Sequence, residues 1–248
     1  MAGMTVSAAH GYGSDAVGNR IDRERLLKFL GFGNPTAEAV FIGMEEGLTV
    51  PPPLDEQLVV RSAFTPMIDL AESAKGHPEK FLSSDRPPIQ PTWNTIIRIL
   101  LALDGIRAAS TEQVRTYQRD CLGRTGERGA LLELLPLPAP GISDWPYAAI
   151  FPEFPTRDSY RNDQIPKRIA LLQEHLSYSP RVVVAYGSQY WDYYRRLFPD
   201  HRDWPRSGPF EVAEHSGTRV VLTPHFTARQ MNGQRDALID LVLASEVA

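Results

Sequence analysis

The chain has 248 residues, with 26 lysines and arginines against 30 aspartates and glutamates, giving a formal net charge of −4. Hydrophobic residues make up 42% and charged residues 23%, an ordinary globular composition on a chain long enough to bury a large core. The mild acidity excludes a polybasic coat for nucleic acid or membrane, though not a local basic groove.

The single cysteine, Cys121, cannot make an internal disulfide, an iron–sulfur site or a multi-cysteine zinc site. No apolar run reaches the ~20 residues that span a bilayer, and no basic stretch leads into an apolar core at the start. A cytoplasmic protein is expected, with no membrane partner.

Residues 1–19, rich in Gly, Ala and Ser, carry no periodicity and are expected to form a flexible tail. Residues 20–248 are expected to form a single α/β domain. Arg20 to Leu30 has helical spacing, with Gly31 as its C-cap. Ala39 to Gly43 is a short apolar run, expected as a buried strand. Glu45 to Pro91 is irregular and Pro-rich, with a helix expected over Val59 to Ala74. Thr92 is expected to cap a helix from Trp93 to Leu103, and a short helix follows over Thr111 to Cys121.

Ala130 to Pro136 is the second strand candidate, ending in a Pro-rich exit. An aromatic connection over residues 141–160 leads to a helix, Ile165 to Leu176. Arg181 to Gly187 is the clearest strand, followed by a helix from Gln189 to Phe198. Arg219 to His225 is the fourth strand with its exit, and Asp236 to Ala244 closes the chain as a helix. This alternation predicts a three-layer α/β/α fold around a central, mostly parallel four-stranded sheet. Ligands bind such sheets at the carboxyl ends of the strands. Three of these exits carry polar groups: Glu45 and Glu46; Glu133; and His225 with Thr227 and Arg229.

Four segments in this order, Val40 to Gly47, Glu133 to Pro138, Val182 to Gly187 and Thr223 to Arg229, resemble the uracil-DNA glycosylase superfamily. The resemblance spans about residues 36–246. It implies a DNA glycosylase-like hydrolase that cleaves the N-glycosidic bond of a flipped, deaminated or otherwise modified base. Glu45 falls two places after Gly43, where the family positions the attacking water. His225 falls at the His that hydrogen-bonds the base carbonyl oxygen. Gly43, Met44 and Glu46 belong to the same substrate-facing loop, Thr227 takes the place of a phosphate-contacting Ser, and Arg229 lies in the wedge loop.

Phe226 replaces the usual Pro, Glu46 adds a carboxylate where Pro is common, and Glu133 stands where an Asn reads the uracil edge. An ionised carboxylate only accepts hydrogen bonds, which suits an exocyclic amine such as cytosine N4. No cofactor and no metal are implied. DNA, single- or double-stranded with a modified base, is the implied partner, and a monomer is the expected state. A single cysteine excludes the iron–sulfur branches of the family.

Bare chemistry agrees, since base loss develops positive charge on the sugar and negative charge on the base. Phe64, Trp93 and Tyr147 are the candidate stacking surfaces for a flipped base. Each residue also has a plainer reading. Glu45 and Glu46 would be surface carboxylates, His225 a loop histidine, and Glu133 half of a structural ion pair with an arginine. Arg195, Arg196, His201, Arg202 and Arg206 would be a mixed surface rather than a phosphate contact. Two other functions stand beside the glycosylase: a non-catalytic nucleic-acid or nucleotide binder of the same fold, and a serine hydrolase using Ser188, His225 and Asp200 or Asp203.

Overall fold

The computed structural model describes residues 21–48, 53–64, 66–74, 82, 84–141, 143–201 and 203–244. The predicted tail, residues 1–19, lies outside them, as does Arg202. In chain order the strands are β1 (Gly31–Gly33), β2 (Ala39–Gly43), β3 (Met67–Ile68), β4 (Gly129–Glu133), β5 (Val182–Tyr186), β6 (Arg206–Ser207), β7 (Phe210–His215) and β8 (Thr218–Thr223). The helices are α1 (Arg23–Lys28), α2 (Leu54–Ser62), α3 (Leu70–Ala74), α4 (Pro91–Leu103), α5 (Thr111–Asp120), α6 (Arg157–His175), α7 (Trp191–Arg195) and α8 (Arg235–Leu243).

One mixed sheet holds all eight strands in the order β3-β1-β4-β2-β5-β8-β7-β6. The four strands expected from sequence are its centre, β4-β2-β5-β8, and run parallel to one another. The expectation of a four-stranded sheet is corrected: β1 adds antiparallel to β4, and β7 adds antiparallel to β8. These additions escaped the pattern search for physical reasons. β1 is only Gly-Phe-Gly, and β7 carries Glu211, Glu214 and His215. The β7–β8 turn places Ser216 at φ 50° and Gly217 at φ 81°. Two consecutive positive-φ residues suit the two-residue hairpin turn whose twist matches its strands.

Side chains alternate across the sheet. Val40, Ile42, Val183 and Ala185 enter one core, with α1, α2, α6 and α7 packed through Leu26, Leu58, Ile169 and Tyr194. Phe41, Leu131, Val184 and Val221 enter the other, covered by α4, α5 and α8 through Ile96, Val114 and Leu238. Each fully buried Val, Ile or Leu contributes about 1.5–3 kcal/mol. An unbroken apolar run such as Val182–Ala185, covered on both faces, therefore belongs at the centre.

Several boundaries differ from expectation. Gly31 starts β1 rather than capping α1. The expected helix over residues 59–74 divides into α2, β3 and α3, because Pro66 interrupts it. Gln90, not Thr92, caps α4 by accepting from the Trp93 N–H at 2.7 Å. The segment after β5 is a 3-10 turn, Ser188–Tyr190, leading into a short α7. α6 begins eight residues early, at Arg157, where Thr156 and Ser159 form a capping box. Its inward face carries Arg157, Gln164 and Arg168, which hid the apolar period. None of the described helices is long and apolar enough to cross a membrane.

Candidate active site

The site grows from strand register. Gly43 is paired with Glu133, and Ile42 with Ala185, so Tyr186 stands on the other flank of Gly43. Glu133, Gly43 and Tyr186 thus share one face at the carboxyl ends of β4, β2 and β5. The glycine lets its neighbours lean together. A Cβ at position 43 would lie 2.5 Å from Glu133 Oε2 and 2.6 Å from the Tyr186 hydroxyl, closer than atoms can sit. The strand exits are also zipped: Leu134 N–H donates to the Gly43 carbonyl at 2.9 Å, and Leu135 N–H to Met44 at 2.7 Å.

Glu133 is 9% exposed, and its Oε2 has no hydrogen-bond partner. Burial pushes its pKa well above the ordinary carboxylate range, and the nearby Glu46 and Glu45 push it further. The shift favours the protonated carboxyl, with one O–H donor and one carbonyl acceptor, over the acceptor-only carboxylate. The Tyr186 hydroxyl is likewise raised by burial, then by Glu133 and Glu46. Arg168, pulled down to about 10 by burial, stays charged and does not pair with the Glu133 side chain. It donates instead to the Glu133 carbonyl at 2.9 Å, the Leu134 carbonyl at 3.0 Å and the Leu27 carbonyl at 3.2 Å, anchoring the end of β4.

The two carboxylates after β2 point to different partners. Glu45 Oε1 accepts from the Arg157 guanidinium. Oε2 takes no hydrogen bond from the described residues. Burial raises the Glu45 pKa, opposed by the charge and hydrogen bond of Arg157 and then by Arg161. Glu46 Oε2 accepts from Arg61 at 2.9 Å, while its Oε1 is buried without a partner. Arg61 in turn lies over the Phe29 ring at 5.5 Å.

His225, just past β8, meets Tyr186 edge-on with ring centroids 5.7 Å apart. The Thr227 backbone N–H donates to His225 Nδ1 at 3.3 Å, and the Thr227 hydroxyl lies 2.8 Å from the same nitrogen. A backbone N–H only donates, so Nδ1 accepts and the neutral ring carries its proton on Nε2. Partial desolvation lowers the His225 pKa, which keeps the ring neutral at physiological pH.

The other expected residues fall differently. Met44 is 7% exposed and buried in the opposite core, so its side chain lines no site on this face. Thr227 orients His225 and is exposed, as is Arg229. Phe64 is buried against Phe29, and Tyr147 is fully buried with its hydroxyl donating to the Pro138 carbonyl, so neither is an open stacking surface. Phe226 lies over Tyr186, centroids 4.7 Å apart at 31°.

His225 Nδ1 is engaged with Thr227, and Ser188, Asp200 and Asp203 are exposed, with no hydrogen bond to His225 among the described residues. The basic cluster behaves as a mixed surface, since Arg195 and Arg206 both bind Glu211.

Seven buried side-chain polar atoms have no hydrogen-bond partner among the described residues, and five of them gather here: Glu46 Oε1, Arg61 Nε, Glu133 Oε2, Arg157 Nε and Arg161 Nε. Buried polar groups are normally satisfied, so such a concentration marks a place built to meet a polar ligand. Tyr186, Arg61, Arg157 and Arg161 were not singled out from sequence: Tyr186 and Arg61 sit in segments whose pattern specified only strand or helix, and Arg157 and Arg161 lie before the expected helix start at Ile165. No family model and no curated protein matches this chain.

Proposed function

We propose that the protein is a DNA glycosylase-like hydrolase acting at this end of the sheet. The observation that carries the reading is the gathering of five unpaired buried polar atoms around Glu45, Glu46 and Glu133, with His225 meeting the same cluster edge-on through Tyr186. The target base leaves the helix and presents its edge to Glu133 and Tyr186. As the bond between C1′ and the base nitrogen breaks, its electron pair leaves with the base. Negative charge then grows on a base carbonyl oxygen, where the Nε2–H of His225 donates to it. Water adds to C1′ from the opposite side, and the open Oε2 of Glu45 takes its proton. Arg157 holds the other oxygen of Glu45 in place.

Burial raises the Glu133 pKa and so favours its protonated form, which bears on the substrate. A carboxylic acid offers a donor and an acceptor side by side, as an amide does, and matches a lactam edge carrying N–H next to C=O. Uracil and hypoxanthine have that edge. The test is a panel of oligonucleotides carrying uracil, hypoxanthine or unmodified bases, read as alkali-labile strand breaks. Breaks at the lactam bases are expected. Binding without breaks on any substrate would favour the non-catalytic reading of the fold.

A further inference from the structure

Arg157 and Arg161 lie one turn apart on α6, which places their Cβ atoms about 5–6 Å apart on one helix face. Arg157 is 7% exposed. It donates to the Asp144 carbonyl at 3.1 Å, more weakly to the Gly141 carbonyl at 3.4 Å, and to Glu45. Its Nε is buried and unpartnered. Arg161 makes no hydrogen bond or ion pair with the described residues; its guanidinium lies 6.0 Å from the Tyr193 ring centroid, and its Nε is also buried and unpartnered.

Glu45 and Tyr190 both feel the two arginines. Two guanidinium charges therefore face one carboxylate, which Arg157 already holds. Like charges on adjacent turns repel, and no ion pair among the described residues holds the Arg161 guanidinium.

We propose that Arg161, backed by Arg157, is an anion site that receives a phosphate group beside Glu45. Assigning that phosphate to the backbone next to the flipped nucleotide rests on the glycosylase reading. A guanidinium fork matches phosphate oxygens in shape and charge and keeps its charge at any working pH. The position also makes chemical sense, because a phosphate bound there fixes the sugar whose C1′ faces Glu45. Arg195 and Arg206, read from sequence as a mixed surface, are already bound to Glu211.

The test uses the full chain and a labelled single-stranded oligonucleotide of unmodified bases, with binding followed by fluorescence anisotropy across salt concentrations. Arg161→Gln is expected to reduce the slope of log K against log salt by about 0.7, the value for one lost phosphate contact on a single strand. Arg161→Lys, which keeps the charge, is expected to retain the slope, and thermal melts check that both variants are folded. An unchanged slope in a folded Arg161→Gln overturns the proposal.

A second arm titrates inorganic phosphate while following the Arg161 Nε–H resonance by NMR. A shift with no oligonucleotide binding keeps the anion site and removes its assignment to nucleic acid. No shift and no slope change removes both. Base release is measured separately, so a lost salt slope in Arg161→Gln with no base released would keep this site and sink the glycosylase reading.

Discussion

Two buried glutamates divide the molecule. Glu211 on β7 is 3% exposed, and both its oxygens are taken: Oε2 by Arg195 at 2.6 Å and 3.2 Å, and Oε1 by Arg206 at 3.3 Å. Glu133 on β4 is 9% exposed, yet no arginine reaches its side chain, and two further carboxylates press on it. The same residue type is a satisfied structural ion at one edge of the sheet and an unpaired carboxyl with a raised pKa at the carboxyl ends of the central strands. Burial alone does not separate function from structure; the partners do.

Removing the proposed chemistry tests this contrast hardest. Glu45→Gln and His225→Ala are each expected to lower base release by at least ~10²-fold, the scale for losing one catalytic group, with unchanged melting. Wild-type-like rates in both would remove the site. Next, Glu211→Ala should destabilise the fold by about 2 kcal/mol through lost charge-assisted hydrogen bonds, discounted because its arginines are partly solvated, while base release by the folded fraction stays normal. A denaturant titration showing no change would mean that Glu211 is not the structural counterpart it is taken to be.

Glu133→Gln should act in the opposite direction. The native-state pKa of Glu133 lies above its ordinary value of 4.5, so the folded protein binds more protons than the unfolded chain between those two values. Stability therefore falls as pH rises above 4.5 toward the native pKa. Glutamine has no such proton, so the variant should flatten that decline and be at least as stable as wild type at pH 8. Destabilisation at pH 8 would reveal a partner for Glu133.

The smallest expected effect is in the shape of the pH–rate profile. Burial raises Glu45 above its ordinary 4.5, so the acid limb should fall at higher pH than for a solvated carboxylate. His225, lowered from 6.5, should stay neutral through the same range.

Much of this was legible in sequence. The four central strands are apolar runs that both helical layers cover, and such runs declare themselves without alternation. The exits after them carry Glu45, Glu133 and His225; in the structure Glu133 meets Gly43 and Tyr186, His225 meets Tyr186 edge-on, and Glu45 turns to Arg157. The edge strands were not legible: β1 and β3 are too short, and β7 alternates charged and apolar residues like a surface segment. Nor was the raised pKa of Glu133, which follows first from burial and then from carboxylates contributed by a different strand exit. Arg61, Arg157 and Arg161 were hidden because a helical arginine has a solvated reading until its neighbours are known.

The account stands most directly on release of a free base. An oligonucleotide carrying a single uracil or hypoxanthine is incubated with wild-type protein and with Glu45→Gln, and the freed base is measured by mass spectrometry. The wild type is expected to release the intact base, leaving an abasic sugar, with Glu45→Gln at least ~10²-fold slower. No released base from either oligonucleotide, or equal rates for the two proteins, would contradict it.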